Sequence, residues 1–153
     1  MSFRQELGDF SSIVCFKAVI TGVEDTLGPD GAAVVFTRAG RVRGETLAKS
    51  LNLEGSNIPV EKLAETLDAA LGTKGTRLCR VVAARDTGST IEVDTQETVC
   101  SAGEPAGSDR TCTFTLGAIW GALESVTGKR FEAKHTDCVL RGGTCDRFVF
   151  TKI

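Results

Sequence analysis

Long apolar runs are missing from this 153-residue chain, so no helix is expected to span a bilayer. The first ten residues carry Arg4, Glu6 and Asp9 and no apolar core of the signal-peptide kind, which points to the cytosol. Charge of one sign is also missing. The formal net charge is -2, and no Lys/Arg block or basic stripe interleaved with aromatics marks a nucleic-acid surface. There is no Gly-x-Gly-x-x-Gly after a strand, hence no visible nicotinamide or flavin site. No internal repeat or low-complexity linker divides the chain, whose length suits one domain over residues 1–153. Histidine occurs once, at 135, which leaves no defensible Ser/His/Asp set and little for haem.

What is present is a patterned set of apolar residues. Ser11 or Ser12 is placed to cap a helix reaching about Leu27, with Ile13, Phe16, Ile20 and Val23 at helical spacing. Gly28-Pro29-Asp30-Gly31 breaks it, and a second helix follows over 32–51. Gly40 and Gly44 lie one turn apart there, where glycine costs up to about 1 kcal/mol each, so another element is expected to approach closely. A third helix, 60–71, is expected after a cap at Asn57. The period then changes. Strands are predicted over 77–85 and 90–99, joined by the turn 86–89. A fourth helix, from about Asp109 to Gly128, carries a Gly117-x-x-x-Gly121 pair. Strands over 130–140 and 145–152 close the chain. The predicted class is α+β: N-terminal helices plus a four-stranded, mostly antiparallel sheet with a helix between its two hairpins.

Six cysteines stand at 15, 79, 100, 112, 138 and 145. A reducing compartment disfavours a disulfide framework, leaving metal ligation, reactive thiols or plain burial. Cys15 and Cys79 sit in apolar runs and are expected to be buried. Cys112, His135, Cys138 and Cys145 form a thiolate–imidazole set suited to tetrahedral zinc. The alternative for the same residues is a cluster of inert buried thiols with a surface histidine. Helix N-terminal amides are expected to favour the Cys112 thiolate. Strict strand alternation sends His135 and Cys138 to opposite faces, so convergence requires a bulge or turn between Thr136 and Cys138. Cys100 is a substitute ligand in reserve. An iron–sulfur cluster is the rival metal reading, although the ligands lack the closely spaced run of ferredoxin-like sites.

The stretch from Cys112 through Gly117, Gly121, Gly128, Phe131, His135, Cys138, Gly142, Cys145 and Phe148 to Phe150 closely resembles the bacterial 4-vinyl-reductase, or hydrocarbon-binding, domain. Gly31, Gly40 and Gly44 fit that family's early helices. The resemblance implies a fold shared with haem–nitric-oxide-binding domains and Golgi vesicle-tethering subunits, which hold small apolar ligands between helices and sheet. In phenol-sensing regulators with this domain, three cysteines and a glutamate bind zinc beside the ligand pocket. Carried over, those ligands fall on Cys112, His135, Cys138 and Cys145, with histidine standing where the family commonly has glutamate.

Three functions compete on this basis. The first is a module binding a hydrophobic small molecule, with Phe16, Ile20, Phe36, Trp120 and Leu123 as candidate pocket residues that equally suit a core. A tetrapyrrole or chlorophyll precursor is the ligand class implied by the resemblance, with a role in pigment handling or photosystem assembly. The second is a 4-vinyl reductase of (bacterio)chlorophyll formation, for which the chain shows no electron-donor site. The third is a homodimeric assembly subunit pairing through the glycine-bearing second helix, or one acting through a partner protein.

Overall fold

Ser12 starts the first helix, its side-chain oxygen accepting the Cys15 N–H at 3.3 Å. Ser11, the other candidate cap, lies outside the residues described by this computed structural model, which are 3–9 and 12–153. The helix, α1, runs over Ile13–Ser50 with a kink at Gly28, the one residue inside it with non-helical dihedrals (φ 73°, ψ 168°). The expected break is therefore a single residue wide. Pro29 fits directly after it because the first turn of a helix needs no N–H from that position.

A second helix, α2, spans Val60–Leu71. Pro59, not Asn57, is its cap residue. Asn57 sits at φ 49° and its amide Nδ2 donates to the Gly55 carbonyl, 3.1 Å away, so it shapes the preceding turn instead. Strands β1 (Arg80–Asp86) and β2 (Thr90–Gln96) form the first hairpin. β1 starts three residues later than predicted, after Arg77 in a left-handed conformation. β2 stops three residues earlier, because Glu97 takes φ 50° and the amides of Ser101 and Ala102 turn back onto the Thr98 carbonyl. Helix α3 covers Thr113–Thr127, starting after Cys112 rather than near Asp109. Strand β3 (Phe131–Asp137), a short 3-10 turn (Val139–Arg141) and strand β4 (Asp146–Lys152) end the chain. The sheet order is β1-β2-β4-β3 and each pairing is antiparallel.

One face of this sheet is apolar and one is charged. Ile91, Val93, Phe131, Phe148 and Phe150 point inward and are at most 2 % exposed. Each buried phenylalanine stabilises the fold by roughly 2–3 kcal/mol. On the outer face Arg85 pairs with Glu92 (3.0 Å) and Asp94 (3.1 Å), and Arg147 pairs with Asp94 (2.7 Å) and Asp137 (2.9 Å). α2 packs on β1, and α1 packs along α3.

The α1–α3 contact is set by glycine. A Cβ at Gly44 would lie 2.6 Å from the Ala122 amide nitrogen and closer still to the Ala118 carbonyl. One at Gly40 would lie 2.9 Å from the Ala118 nitrogen, and Gly117 and Gly121 meet the α1 backbone near Thr37 and Arg41 in the same way. The close approach expected from both glycine pairs is thus one interface, glycine on each side. Arg41 reaches over it, 4.4 Å above the Trp120 ring and paired with Glu124, which also accepts from the Trp120 indole at 3.1 Å. Among the described residues no helix is long and apolar enough to cross a membrane.

Candidate metal centre and ligand groove

The register of β3 against β4 shifts between His135 and Asp137. His135 faces Phe148, but Asp137 faces Arg147, so Thr136 is an extra residue. This is the bulge that the sequence required. It reverses the side-chain parity of β3, so His135 stands on the inner face with Phe148 (ring centroids 5.1 Å apart), Asp137 turns outward to Arg147, and Cys138 turns inward again. Asp146, at the start of β4, is fully buried on the same inner side, opposite Thr95.

Cys112, the N-cap residue of α3, closes the group from above. One donor atom each from Cys112, His135 and Asp146 lie within 4.8 Å of one another. His135 Nε2 is 3.4 Å from Asp146 Oδ1. Both ring nitrogens of His135 are buried without a hydrogen-bond partner. Such an orphaned pair costs free energy unless something else satisfies it. Asp146 is held by the Ser101 hydroxyl (2.9 Å to Oδ2) and by the Val139 amide (3.3 Å to Oδ1). Burial raises its pKa, but the His135 imidazole beside it and the hydrogen bond from Ser101 outweigh burial and hold it at about 2.

The thiols respond oppositely. The hydrogen bond with Cys100, then burial, then the negative potential of Cys100, Asp146 and Cys138 push Cys112 far above the ordinary thiol range. The expected preference of a helix N-terminus for thiolate is overridden here by burial and crowding of like charges. Burial above all, and the nearby Asp146 carboxylate, raise Cys138 as well. This crowding of donors is what a divalent cation relieves, because a bound cation inverts the local pKa order and deprotonates a coordinating thiol.

Cys145 takes no part in that inner group. It precedes β4 and is buried, and the charges of Asp94 and Arg147 in the outer ionic network act on its thiol. Cys100, reached through the turn after β2, is buried against Cys112. Asp146 was missed by the sequence reading, although its alternation with Phe148 and Phe150 was a usable signal. Cys79 is buried as expected, its thiol pushed up to about 12 mainly by desolvation. Cys15 is exposed, contrary to expectation, because Phe16 and Ile20 take the packed side of α1 while Val14, Cys15 and Val19 face outward.

A segment between β2 and α3 covers the metal-type group. The Lys17 ammonium donates to the Cys100 carbonyl and pairs with Glu104 at 2.8 Å, while Arg110 bridges Glu104 (2.8 Å) and Glu24 (2.9 Å). Arg141 holds the carbonyls of Ser108 (2.9 Å) and Arg110 (3.1 Å) from below.

A groove of about 690 Å³ is lined by apolar Phe3, Phe16, Ala39, Val42, Leu78 and Phe114 and by polar Asp9, Arg43, Thr46, Ser50 and Thr76. Phe16 and Phe114 meet edge to face with centroids 4.9 Å apart. Of the other pocket candidates, Ile20, Phe36 and Leu123 are in the packed core at 1–5 % exposure. Trp120 lines a separate, shallow groove of about 610 Å³ with Val34, Arg38, Arg41 and Glu45.

The same fold recurs in solved structures. The chain is similar to the phenol-responsive sensory domain of the transcription activator PoxR, crystallised with phenol (TM-score 0.72, 18% identity, 94% of this chain and 76% of that one). A vinyl-4-reductase family protein from Methanocaldococcus jannaschii also matches (TM-score 0.56, 15% identity, 97% and 85%). So does a trafficking protein particle complex subunit 3 from Naegleria fowleri, covalently bound to palmitic acid (TM-score 0.53, 12% identity, 95% and 84%). The fold is the one anticipated from the 112–150 motif. No family model matches the chain, and no curated protein matches it in sequence.

Proposed function

We propose that this protein is a small-molecule-binding domain that takes an apolar ligand in the groove between α1 and the start of α3. The observation that carries this reading is the groove itself, a mainly apolar concavity large enough for a small organic molecule, with the Phe16–Phe114 pair in its wall. Its neighbours in fold strengthen it: one structure contains phenol and another palmitic acid. A tetrapyrrole or chlorophyll precursor is the first ligand class to test, given the likeness to a vinyl-4-reductase family protein, and pigment handling or photosystem assembly is the role that would follow.

In the same reading a zinc ion supported by Cys112 and His135 is structural. It would anchor the cap of α3 and thereby Phe114, two residues further on, which forms the groove wall. The test is displacement of a fluorescent apolar probe by phenol, palmitate and protoporphyrin, repeated on Ala39→Trp. Ala39 is exposed in the groove, so the larger ring fills it without entering the core. Saturable displacement abolished by Ala39→Trp supports the proposal; no binding of any of the three refutes it.

A second reading, self-association, draws on the outer face of α1, because Gly40 and Gly44, the expected pairing surface, are taken up by α3. Val34, Val35 and Val42 are 72 %, 45 % and 57 % exposed there. An antiparallel twofold pairing of two α1 helices centred between Arg41 and Val42 sets Arg38 of each copy against Glu45 of the other. Sedimentation that shows only monomer at high concentration removes this reading.

A further inference from the structure

We infer that Asp146, and not Cys145, completes the metal centre with Cys112 and His135. The inference rests on the metal reading above and departs from the ligand set that the motif resemblance carries over. His135 is the first support. Its side chain is 8 % exposed and neither ring nitrogen has a partner, yet Asp146 Oδ1 stands 3.4 Å from Nε2. That separation and its geometry do not make a hydrogen bond. They do match the edge between two ligands of a tetrahedral zinc ion, which metal–nitrogen and metal–oxygen bonds of about 2.0–2.2 Å place at roughly 3.3–3.5 Å.

The surroundings of Asp146 are those of an oriented ligand. Ser101 fixes Oδ2 at 2.9 Å and leaves Oδ1, with the Val139 amide at 3.3 Å, turned to the imidazole. Topology supplies the third support. The Thr136 bulge brings His135 and Cys138 to the inner face, where Asp146 already lies. Asp146 is the first residue of β4 and pairs on the inner side with Thr95, whereas Cys145 precedes the strand and stands outside the Cys112–His135–Asp146 group. Cys138, buried on the same inner face but outside the tight Cys112–His135–Asp146 group, is a thiol this topology offers for a fourth position. A mixed set of thiolate, imidazole and carboxylate suits a single divalent ion such as zinc better than an iron–sulfur cluster, which is held mainly by thiolates.

Cobalt(II) serves as the test ion, because thiolate ligation gives it an intense charge-transfer absorption. Wild type, Cys145→Ser and Asp146→Asn are titrated with cobalt, and circular dichroism checks folding. The expected result is one ion per chain in wild type, unchanged stoichiometry and thiolate absorption in Cys145→Ser, and at least ~100-fold weaker binding in Asp146→Asn, beyond the ~10–100-fold usual for an outer-shell partner. Weakened thiolate absorption in Cys145→Ser overturns the inference while leaving a metal site in place. Full affinity in Asp146→Asn overturns it equally. Wild type that binds no cobalt refutes both the inference and the metal reading. Should Asp146→Asn fail to fold, Asp146→Cys replaces it: stronger thiolate absorption on cobalt binding supports residue 146 as a ligand, and unchanged absorption overturns the inference.

Discussion

Three glycines of α1 meet three different environments, so the same replacement by alanine is expected to act with different signs. Gly22 is exposed in the helix, and a Cβ there meets nothing within 4 Å. Gly22→Ala should therefore gain the ordinary helix preference, up to about 1 kcal/mol, or roughly 2–4 °C in Tm for a chain of this size. Gly44 has the same helical backbone, but its added Cβ would stand 2.6 Å from the Ala122 nitrogen and nearer to the Ala118 carbonyl. Both are backbone atoms of α3 and cannot rotate away. The helices must separate by about 1 Å, and overpacking of this kind costs about 1–3 kcal/mol. A net loss of about 2 kcal/mol, or roughly 4–8 °C, is expected. Gly28→Ala tests a third term. Space is open there, but φ 73° with ψ 168° is a region that only glycine enters comfortably, so a loss of about 1–3 kcal/mol is expected from backbone strain alone. Urea unfolding followed by circular dichroism measures all three. A neutral or stabilising Gly44→Ala beside a stabilising Gly22→Ala would refute the close α1–α3 approach.

Asp94 is held below the ordinary carboxylate range: burial alone would raise it, but hydrogen bonds from Arg147 and Arg85 prevail. A depressed folded-state pKa stabilises the protein above the unfolded value and stops doing so as pH falls through the folded one. Wild type should thus lose more stability than Asp94→Asn between about pH 5 and pH 2, and Asp94→Asn should cost about 1–2 kcal/mol at pH 7, both readable from urea midpoints. Thiol labelling is the next check. Cys15 alone of the six is exposed, so one thiol should react quickly in the native protein and five only on unfolding; fast labelling persisting in Cys15→Ser would contradict this. Finally, Glu104→Gln should loosen the segment over Cys100 and Cys112, since Glu104 pairs with both Lys17 and Arg110. Faster amide exchange confined mainly to residues 98–112 is the expected reading; unchanged exchange would show that the pairs do not hold that segment.

Element type and order were legible in the sequence because period and punctuation are local. The alternation at Ile91 and Val93, the helical spacing over 60–71 and the glycine pairs at 40/44 and 117/121 each carried their meaning without the fold. Local pattern erred where a backbone conformation was at stake. Asn57 has the chemistry of a cap but the dihedrals of a turn residue, and the run to Val99 looked like continuing strand until Glu97 entered the left-handed region.

The candidate site divides along the same line. The sequence grouped Cys112, His135, Cys138 and Cys145 and stated that His135 and Cys138 converge only through a bulge or turn between Thr136 and Cys138. Only the tertiary structure decided that Thr136 is the extra residue, since a bulge is a relation between two strands. Only the structure, likewise, put Asp146 in the group with Cys112 and His135 and left Cys145 out of it. Which face of a strand is the interior depends on what α1 and α3 cover. The groove beside Phe16 and Phe114 was undetermined for the same reason: a concavity is the space between elements, and no residue encodes it by itself.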